Sequence, residues 1–486
     1  MINCYKKVSK KGLLWGVVVS IFCSVPFFTF AKDKRKVDLI VLADYLVPMS
    51  DKSDLKSDKS DLPQVVFDGA VAVVGNKIIA IDQREVLLAK FTSSQIISGK
   101  NKVLMPGLIN AHTHSAMTLF RGMADDLELM PWLNNYIFPM EGFFVKPDFI
   151  KTGLELACYE MISGGITTFV DMYFYPEVIS KGVEKCGLRA IVGAPMIDFP
   201  SPGFKGWDDS FAAAVQYVNQ WQGKNERITP AFAPHAPYTV SPAHIKQVAE
   251  KARELKVPIT IHIAESEAET KIIKDRYQTT PVKHVDNLSL FTDNKVIAAH
   301  MVHLSQNEMK ILAQKKVGAI HNPTSNLKLA AGISPVVQLI KNKVNVGLGT
   351  DGAASNNDLD LWEEIRLAAL LHKVTEKNST VIPAYSALQM ATNWGAKSVG
   401  LGSDIGQLRV GYKADMIQIS LDDLRLQPVY NVISHLVYTI DSQDVVTTVV
   451  SGKVLMKDGK VLTVNETKLR KSIEKISKKL AAELKK

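Results

Sequence analysis

Pro106-Gly-Leu-Ile-Asn-Ala-His112-Thr-His114 is the stretch from which the rest of this sequence becomes readable. Val103 to Ile109 is an apolar run that predicts a buried strand ending in polar residues. Residues i and i+2 of a strand point the same way, so His112 and His114 project together. Two neutral imidazoles on one face at a strand end can hold a single transition-metal ion. A hydrogen-bonded pair of structural histidines would look the same locally, so the remainder of the chain decides between the two.

Working outward from Pro106, the sequence takes up a strand-then-helix rhythm. Asp148 to Gly164 spaces Ile150, Leu154, Ala157 and Met161 for one helix face, and Gly164-Gly165 ends it. Strands are predicted at Leu108–Ala111, Ile166–Asp171, Ala190–Ala194, Ile228–Pro234, Ile259–Ala264, Val296–Ala299, Val317–Ile320 and Val344–Gly349. Eight such units over residues 106–402 predict a (β/α)8 barrel of the TIM type. Polar residues then fall at the carboxyl ends of six of the strands: His112 and His114 after the first, His235 after the fourth, His262 after the fifth. His300 follows the sixth, His321 the seventh and Asp351 the eighth. Carboxyl ends of barrel strands share one mouth, where barrels carry their active sites.

Alternating strands flank this body. Val37–Val47 and Val65–Asp82, with Gly75-Asn76 as a turn, are expected to join strands from residues 403–465 in a small β-sandwich built from both chain ends, residues 37–105 and 403–465. The run 50–62, rich in Ser, Asp and Lys, buries too little apolar surface to order itself and reads as a mobile loop. Residues 466–486 form an amphipathic helix with Leu469, Ile473, Ile476, Leu480 and Leu484 on one face, expected to pack on the body rather than on a membrane surface.

At 486 residues, 46% hydrophobic and 22% charged, the chain has an ordinary globular balance. Four of its lysines (6, 7, 10 and 11) lie in residues 1–31, without which the net charge falls from +9 to +5. Nothing forms a basic groove with interleaved aromatics, so nucleic-acid binding is excluded as a function class. Those lysines, the apolar run Leu13–Phe30 and the small residues Thr29 and Ala31 read as an export signal, an uncleaved anchor being the alternative. Export would leave no stable membrane partner once the signal is removed. Only Cys158 and Cys186 remain outside that segment, and two buried thiols are expected rather than a disulfide.

Taken together, the motifs resemble the amidohydrolase superfamily and, within it, the 5-methylthioadenosine/S-adenosylhomocysteine deaminases. The likeness rests on Pro106–His114, Asp171-Met-Tyr-Phe, Pro234-His-Ala-Pro-Tyr238, His262-Ile-Ala-Glu265, Ala299-His300, His321-Asn-Pro-Thr-Ser-Asn-Leu-Lys328 and Gly349-Thr-Asp-Gly-Ala-Ala-Ser-Asn-Asn357. It covers residues from about 37 to 465. It implies one divalent metal, usually zinc with iron as the alternative, held by His112, His114, His262 and Asp351. Three imidazoles and a carboxylate would leave a position for water, whose pKa falls to about 7 on such an ion. A second ion would need a bridging group such as a modified lysine after strand 4, where His235 stands and Ile228–Val240 holds no lysine.

The resemblance further implies that Glu265 shuttles protons, that Asp351 takes one from the attacking water, and that His300 holds the attacking oxygen. It places His235 on a purine ring and Glu141 on ribose hydroxyls. Trp132, in the same mouth-crossing segment Ser115–Val145, would supply an apolar wall. His303, His321 and Ser355 are candidate lining residues without assigned chemistry. Relatives that grip a homocysteine carboxylate carry arginines after strand 3, but Gly193–Trp207 holds only Lys205, a poor substitute for bidentate recognition. The expected reaction is hydrolytic deamination of an adenosine-type nucleoside with a neutral 5′-thioether tail, giving the inosine analogue and ammonia. A triazine chlorohydrolase, a nucleobase or pterin deaminase, and a non-catalytic exported binder are the alternatives. A homo-oligomer is left open.

Overall fold

The computed structural model describes residues 34–50 and 64–484. The expected export signal and most of the expected mobile loop lie outside the described residues.

Eight parallel strands follow one another in sequence order around a sheet: Leu108–Thr113, Ile166–Met172, Arg189–Met196, Ile228–Pro234, Ile259–Ile263, Val296–His300, Gly318–His321 and Asn345–Leu348. These are the eight strands predicted, and they close into a TIM-type (β/α)8 barrel. The seam between the eighth strand and the first is made by side chains and backbone together. Asn110 exchanges hydrogen bonds with Thr350, at 2.7 and 3.1 Å, and Asp351 N donates to His112 O at 3.0 Å. Strand residues buried on both faces produce two cores. Ile109, Val170, Ile191, Ala231, Ile297 and Ile320 fill the barrel interior, plugged from below by Ala396, Val399 and Ile405, while the larger cluster lies between strands and helices.

The helix Pro147–Ser163 starts on a proline, which fits the first turn because its missing N–H would have no helical acceptor there. It ends where Gly165 takes φ +82°, a conformation that favours glycine.

Strands from both chain ends form one nine-stranded sheet. Lys102–Pro106 pairs with Leu39–Leu46 on one side and with Met416–Ser420 on the other, so the front and back of the chain are hydrogen-bonded neighbours. The sheet curls over an apolar core that includes Leu39, Val41, Val71, Val73, Leu104, Met416 and Val449. Its turns meet so closely that a Cβ at Gly452 would lie 2.2 Å from the Gly75 carbonyl oxygen. Barrel and sheet are joined by a buried ion pair. Arg189, at the start of the third barrel strand, donates to Asp415 from Nε at 2.8 Å and to Ser451 Oγ at 2.9 Å.

The terminal helix spans Glu466–Glu483, capped by Asn465, and packs on Pro147–Ser163. Leu469 and Leu480 are buried, Ile473 and Ile476 half-buried, and Leu484 exposed. Among the described residues no helix is long and apolar enough to cross a membrane.

One expectation is overturned. Cys158 and Cys186 form a disulfide, with Cα atoms 6.4 Å apart, linking the helix Pro147–Ser163 to the helix Pro176–Cys186. Their partnership is created by two helices packing across an intervening strand, which no local spacing encodes.

Removing one member of the buried pair leaves the other charge uncompensated, so Asp415→Ala is expected to cost about 3–5 kcal/mol. The denaturant midpoint checks this; an unchanged midpoint would show that Arg189 finds other relief.

Candidate active site

His112 and His114 leave the first barrel strand on the same side, while Thr113 between them points away and donates to the Asp351 carbonyl at 2.9 Å. Asp351 sits at φ +63° and His300 at φ +75°. Side chains rarely adopt this region, at a cost of about 1–3 kcal/mol each, and strained residues of this kind gather at functional sites. For Asp351 the conformation is held by Thr113 and Thr350 hydroxyls on its carbonyl and by the His112 bond to its N–H.

His112, His114 and His262 bring a ring nitrogen each within 4.8 Å of one another, and Asp351 meets the first two. Asp351 Oδ1 lies 3.4 Å from His112 Nε2 and 3.2 Å from His114 Nε2, and His114 Nε2 lies 3.3 Å from His262 Nε2. Nitrogen and oxygen ligands at about 2.0–2.1 Å from a tetrahedral centre stand roughly 3.3–3.4 Å apart. Backbone carbonyls orient two of the rings. His114 donates from Nδ1 to the Met172 carbonyl, and His262 from Nδ1 to the His235 carbonyl at 2.9 Å. With Nδ1 committed to a carbonyl, the Nε2 of each ring faces the centre. Both ring nitrogens of the fully buried His112 lack a hydrogen-bond partner among the described residues. Such an orphaned pair is costly unless something else fills the centre. The donor set therefore fits one transition-metal ion.

Burial sets the protonation states. It holds His112 down at about 4 and His235 at about 3, and pushes His262 well below the usual imidazole range, so all three are neutral. Burial would lower His114 too, but the Asp351 carboxylate beside it prevails and raises it to about 9. Asp351 shows the converse: burial acts to raise its carboxyl, and the His112 and His114 rings facing it hold it well below the usual carboxylate range. Ser325 and Ser355 donate to its other oxygen at 2.7 and 2.9 Å.

Around this centre lies a cavity open at its mouth and lined mainly by apolar side chains with a few convergent polar groups, the make-up of a small-molecule site. Glu265, His300, His235, Glu141 and Trp132 all line it. Glu265 is pushed above the usual carboxylate range by burial, and its Oε1 lies 3.8 Å from His300 Nε2. His300 Nδ1 is paired with Asn326 Oδ1 at 2.9 Å, and His235 Nδ1 with Thr239 Oγ1 at 2.9 Å. Glu141 lies on the segment over the mouth and is raised to about 7 by burial. That segment runs as a short 3-10 helix, a helical turn, a π-helical turn at Leu133–Ile137 and the helix Phe138–Phe144. Trp132 ends its first α-helical turn and is 6% exposed.

His303 and His321 do not line the cavity: His303 Nε2 pairs with the Ala331 carbonyl, and His321 packs beside His372 below the rim. Sequence reasoning passes over Ser325 and Asn326, which position Asp351 and His300 although both stand inside the His321–Lys328 motif. Asp171 and Tyr173 likewise stand inside the Asp171-Met-Tyr-Phe motif without an assigned role: Asp171 accepts from Ser115 N at 2.6 Å, and Tyr173 lines the cavity next to Glu141.

The sequence matches the amidohydrolase family over residues 103–455, and the chain belongs to that family. It is 45% identical over 414 residues to a 5-methylthioadenosine/S-adenosylhomocysteine deaminase of Carboxydothermus hydrogenoformans, covering 85% of this chain and 94% of that one. A 5′-deoxyadenosine deaminase of Methanocaldococcus jannaschii is 43% identical, with 84% and 95% covered. Among solved structures, an adenosine deaminase from Xanthomonas campestris with bound zinc superposes with a TM-score of 0.88 at 36% identity, covering 92% of this chain and all of that one. A triazine hydrolase from Arthobacter aurescens shares the fold at TM-score 0.82 and 22% identity, covering 90% of this chain and 99% of that one.

Elemental analysis of the purified protein is expected to return one divalent ion per chain, and His262→Ala to lose most of it while the fold persists by circular dichroism. Two tightly bound ions per chain would contradict a single centre.

Proposed function

We propose that this chain hydrolytically deaminates adenosine-type nucleosides carrying an uncharged group at the 5′ position, releasing ammonia and the inosine analogue. The observation that carries this reading is the placement of Glu265, a buried acid pushed above the usual carboxylate range by that burial, on the same cavity wall as His114, His262 and Asp351 of the donor set. A zinc ion held by those four residues would supply a water nucleophile at neutral pH. Glu265 hands its proton to the ring nitrogen beside the amino-bearing carbon and recovers one from the attacking oxygen as the carbonyl forms, while the proton that Asp351 takes from the attacking water passes to the amino group, which leaves as ammonia. Asp351, kept ionised by its neighbours, accepts a proton from the attacking water, and His300 Nε2 steadies the attacking oxygen. The two acids divide the work because their surroundings push them in opposite directions. His235 meets the purine, Glu141 accepts from the ribose hydroxyls, and Trp132 with Leu133 and Phe138 gives the apolar wall.

The relatives' names point to the same chemistry. Departure of chloride from a triazine needs no protonation of a leaving amine, so Glu265 favours deamination over the chlorohydrolase alternative. Among the described residues no lysine or arginine lines the cavity, and Lys205 is exposed on the surface. An S-adenosylhomocysteine tail would bring a carboxylate with no cationic partner at the described wall, which disfavours it by roughly tenfold or more against a methylthio group.

Ammonia release by the metal-loaded protein across adenosine, 5′-deoxyadenosine, 5′-methylthioadenosine, S-adenosylhomocysteine, guanine, cytosine and a pterin tests both points. The neutral 5′-substituted adenosines are expected to turn over best, and silence on every compound would remove the deaminase class. Glu265→Gln should keep its metal and lose about a hundredfold or more in turnover.

Residues 1–31 are read as a cleaved export signal, supported by the Cys158–Cys186 disulfide, since disulfides persist chiefly in oxidising compartments. N-terminal sequencing is expected to begin after Ala31; a start at Met1 would overturn cleavage.

A further inference from the structure

We propose that Glu269 is a positioning residue for the reaction, acting through Glu265. The chain leaves the fifth barrel strand after Ile263 and must present Glu265 to the cavity within two residues of leaving it. It does so by placing Ala264 at φ +55°, a left-handed conformation that an alanine does not take unaided. Glu269 reaches back from the first turn of the helix Glu267–Tyr277 and closes this turn. Its Oε1 accepts from Ala264 N at 3.0 Å and its Oε2 from Glu265 N at 2.8 Å. Both oxygens of one carboxylate thus fix two successive peptide groups, one of them the backbone of the proton-carrying residue itself.

The clamp is fixed in its turn. Ser266 caps the helix by accepting from Glu269 N at 3.2 Å, and the Ala264 carbonyl accepts from both Val302 N and His303 N at 2.9 Å, just beyond His300. Glu269 is 1% exposed, and no lysine, arginine or histidine side chain pairs with it among the described hydrogen bonds and ion pairs. Burial pushes this carboxyl up to about 8 even with two N–H donors on it, so a group so costly to bury has its place because of the backbone it shapes. Glutamine is the informative replacement: it fills the same space but presents an NH2 group to one of the two N–H donors. The turn then loosens and Glu265 loses its fixed aim, without any change at the metal-binding side chains.

This rests on the proton-carrying role of Glu265 proposed above, and a double-mutant cycle separates the two. Glu269→Gln is expected to lower kcat by roughly 10–100-fold, as loss of a supporting shell does, with KM and bound metal nearly unchanged. In a Glu265→Gln background the same change should have little further effect, because the group it aims is gone. If Glu265→Gln itself retains near-normal kcat, the role of Glu265 fails. If Glu265→Gln collapses kcat but Glu269→Gln leaves it intact, lowers it by the same factor in both backgrounds, or strips the metal, the positioning role of Glu269 is overturned. Should Glu269→Gln yield no folded protein, the cycle is read with Glu269→Asp, which keeps the carboxylate but withdraws it by one methylene.

Discussion

The seam between the first and eighth barrel strands is the constraint on which the site depends. His112 and Asp351 are far apart in the chain, yet the His112 carbonyl and Asp351 N–H are directly bonded, and Asn110 and Thr350 lock the register just below. Close approach here has a steric condition: a Cβ on Gly349 would lie 2.8 Å from both the nitrogen and the oxygen of His112. Closing the sheet into a barrel and closing the ligand set around a centre are therefore the same event. A shift of register at this seam would turn His112 and His114 away from Asp351, because side-chain direction alternates along a strand.

Within that frame, one physical influence tunes every group. Exclusion of water raises carboxyls and lowers imidazoles, which leaves His112 and His262 neutral and pushes Glu265 up, while Asp351 carries the neighbouring His114 the other way. Asp351 escapes the trend only because two imidazoles face it, and Ser325 and Ser355 occupy its remaining lone pairs. The same burial would be ruinous for an unsupported group. Backbone carbonyls of Met172 and His235, and the amide of Asn326, accordingly fix the imidazoles that surround the centre.

Much of this is legible in the sequence for an identifiable reason. Parallel barrel strands are buried on both faces and read as short apolar runs, and a polar residue at the end of each run marks the mouth. His112, His114, His262, His300 and Asp351 stand out on that rule alone. His321 obeys the rule and still turns away from the cavity, because a strand end fixes position along the barrel but not which face a side chain takes. Glu269 carries no signal of its own: a glutamate in the first turn of a helix looks like an ordinary favourable charge. The Cys158–Cys186 bridge escapes a linear reading because the two cysteines meet only after their helices have docked.

The composite sheet ties the two ends of the chain to each other rather than to their sequence neighbours. Residues 102–106 stand between residues 39–46 and residues 416–420, and the buried Arg189–Asp415 pair fastens the barrel to strands synthesised late. During synthesis, the opening strands therefore wait with one edge bare until almost the whole polypeptide has emerged. A chain cut short before residue 416 would leave that edge open to pairing with other molecules, which makes incomplete copies sticky as well as inert.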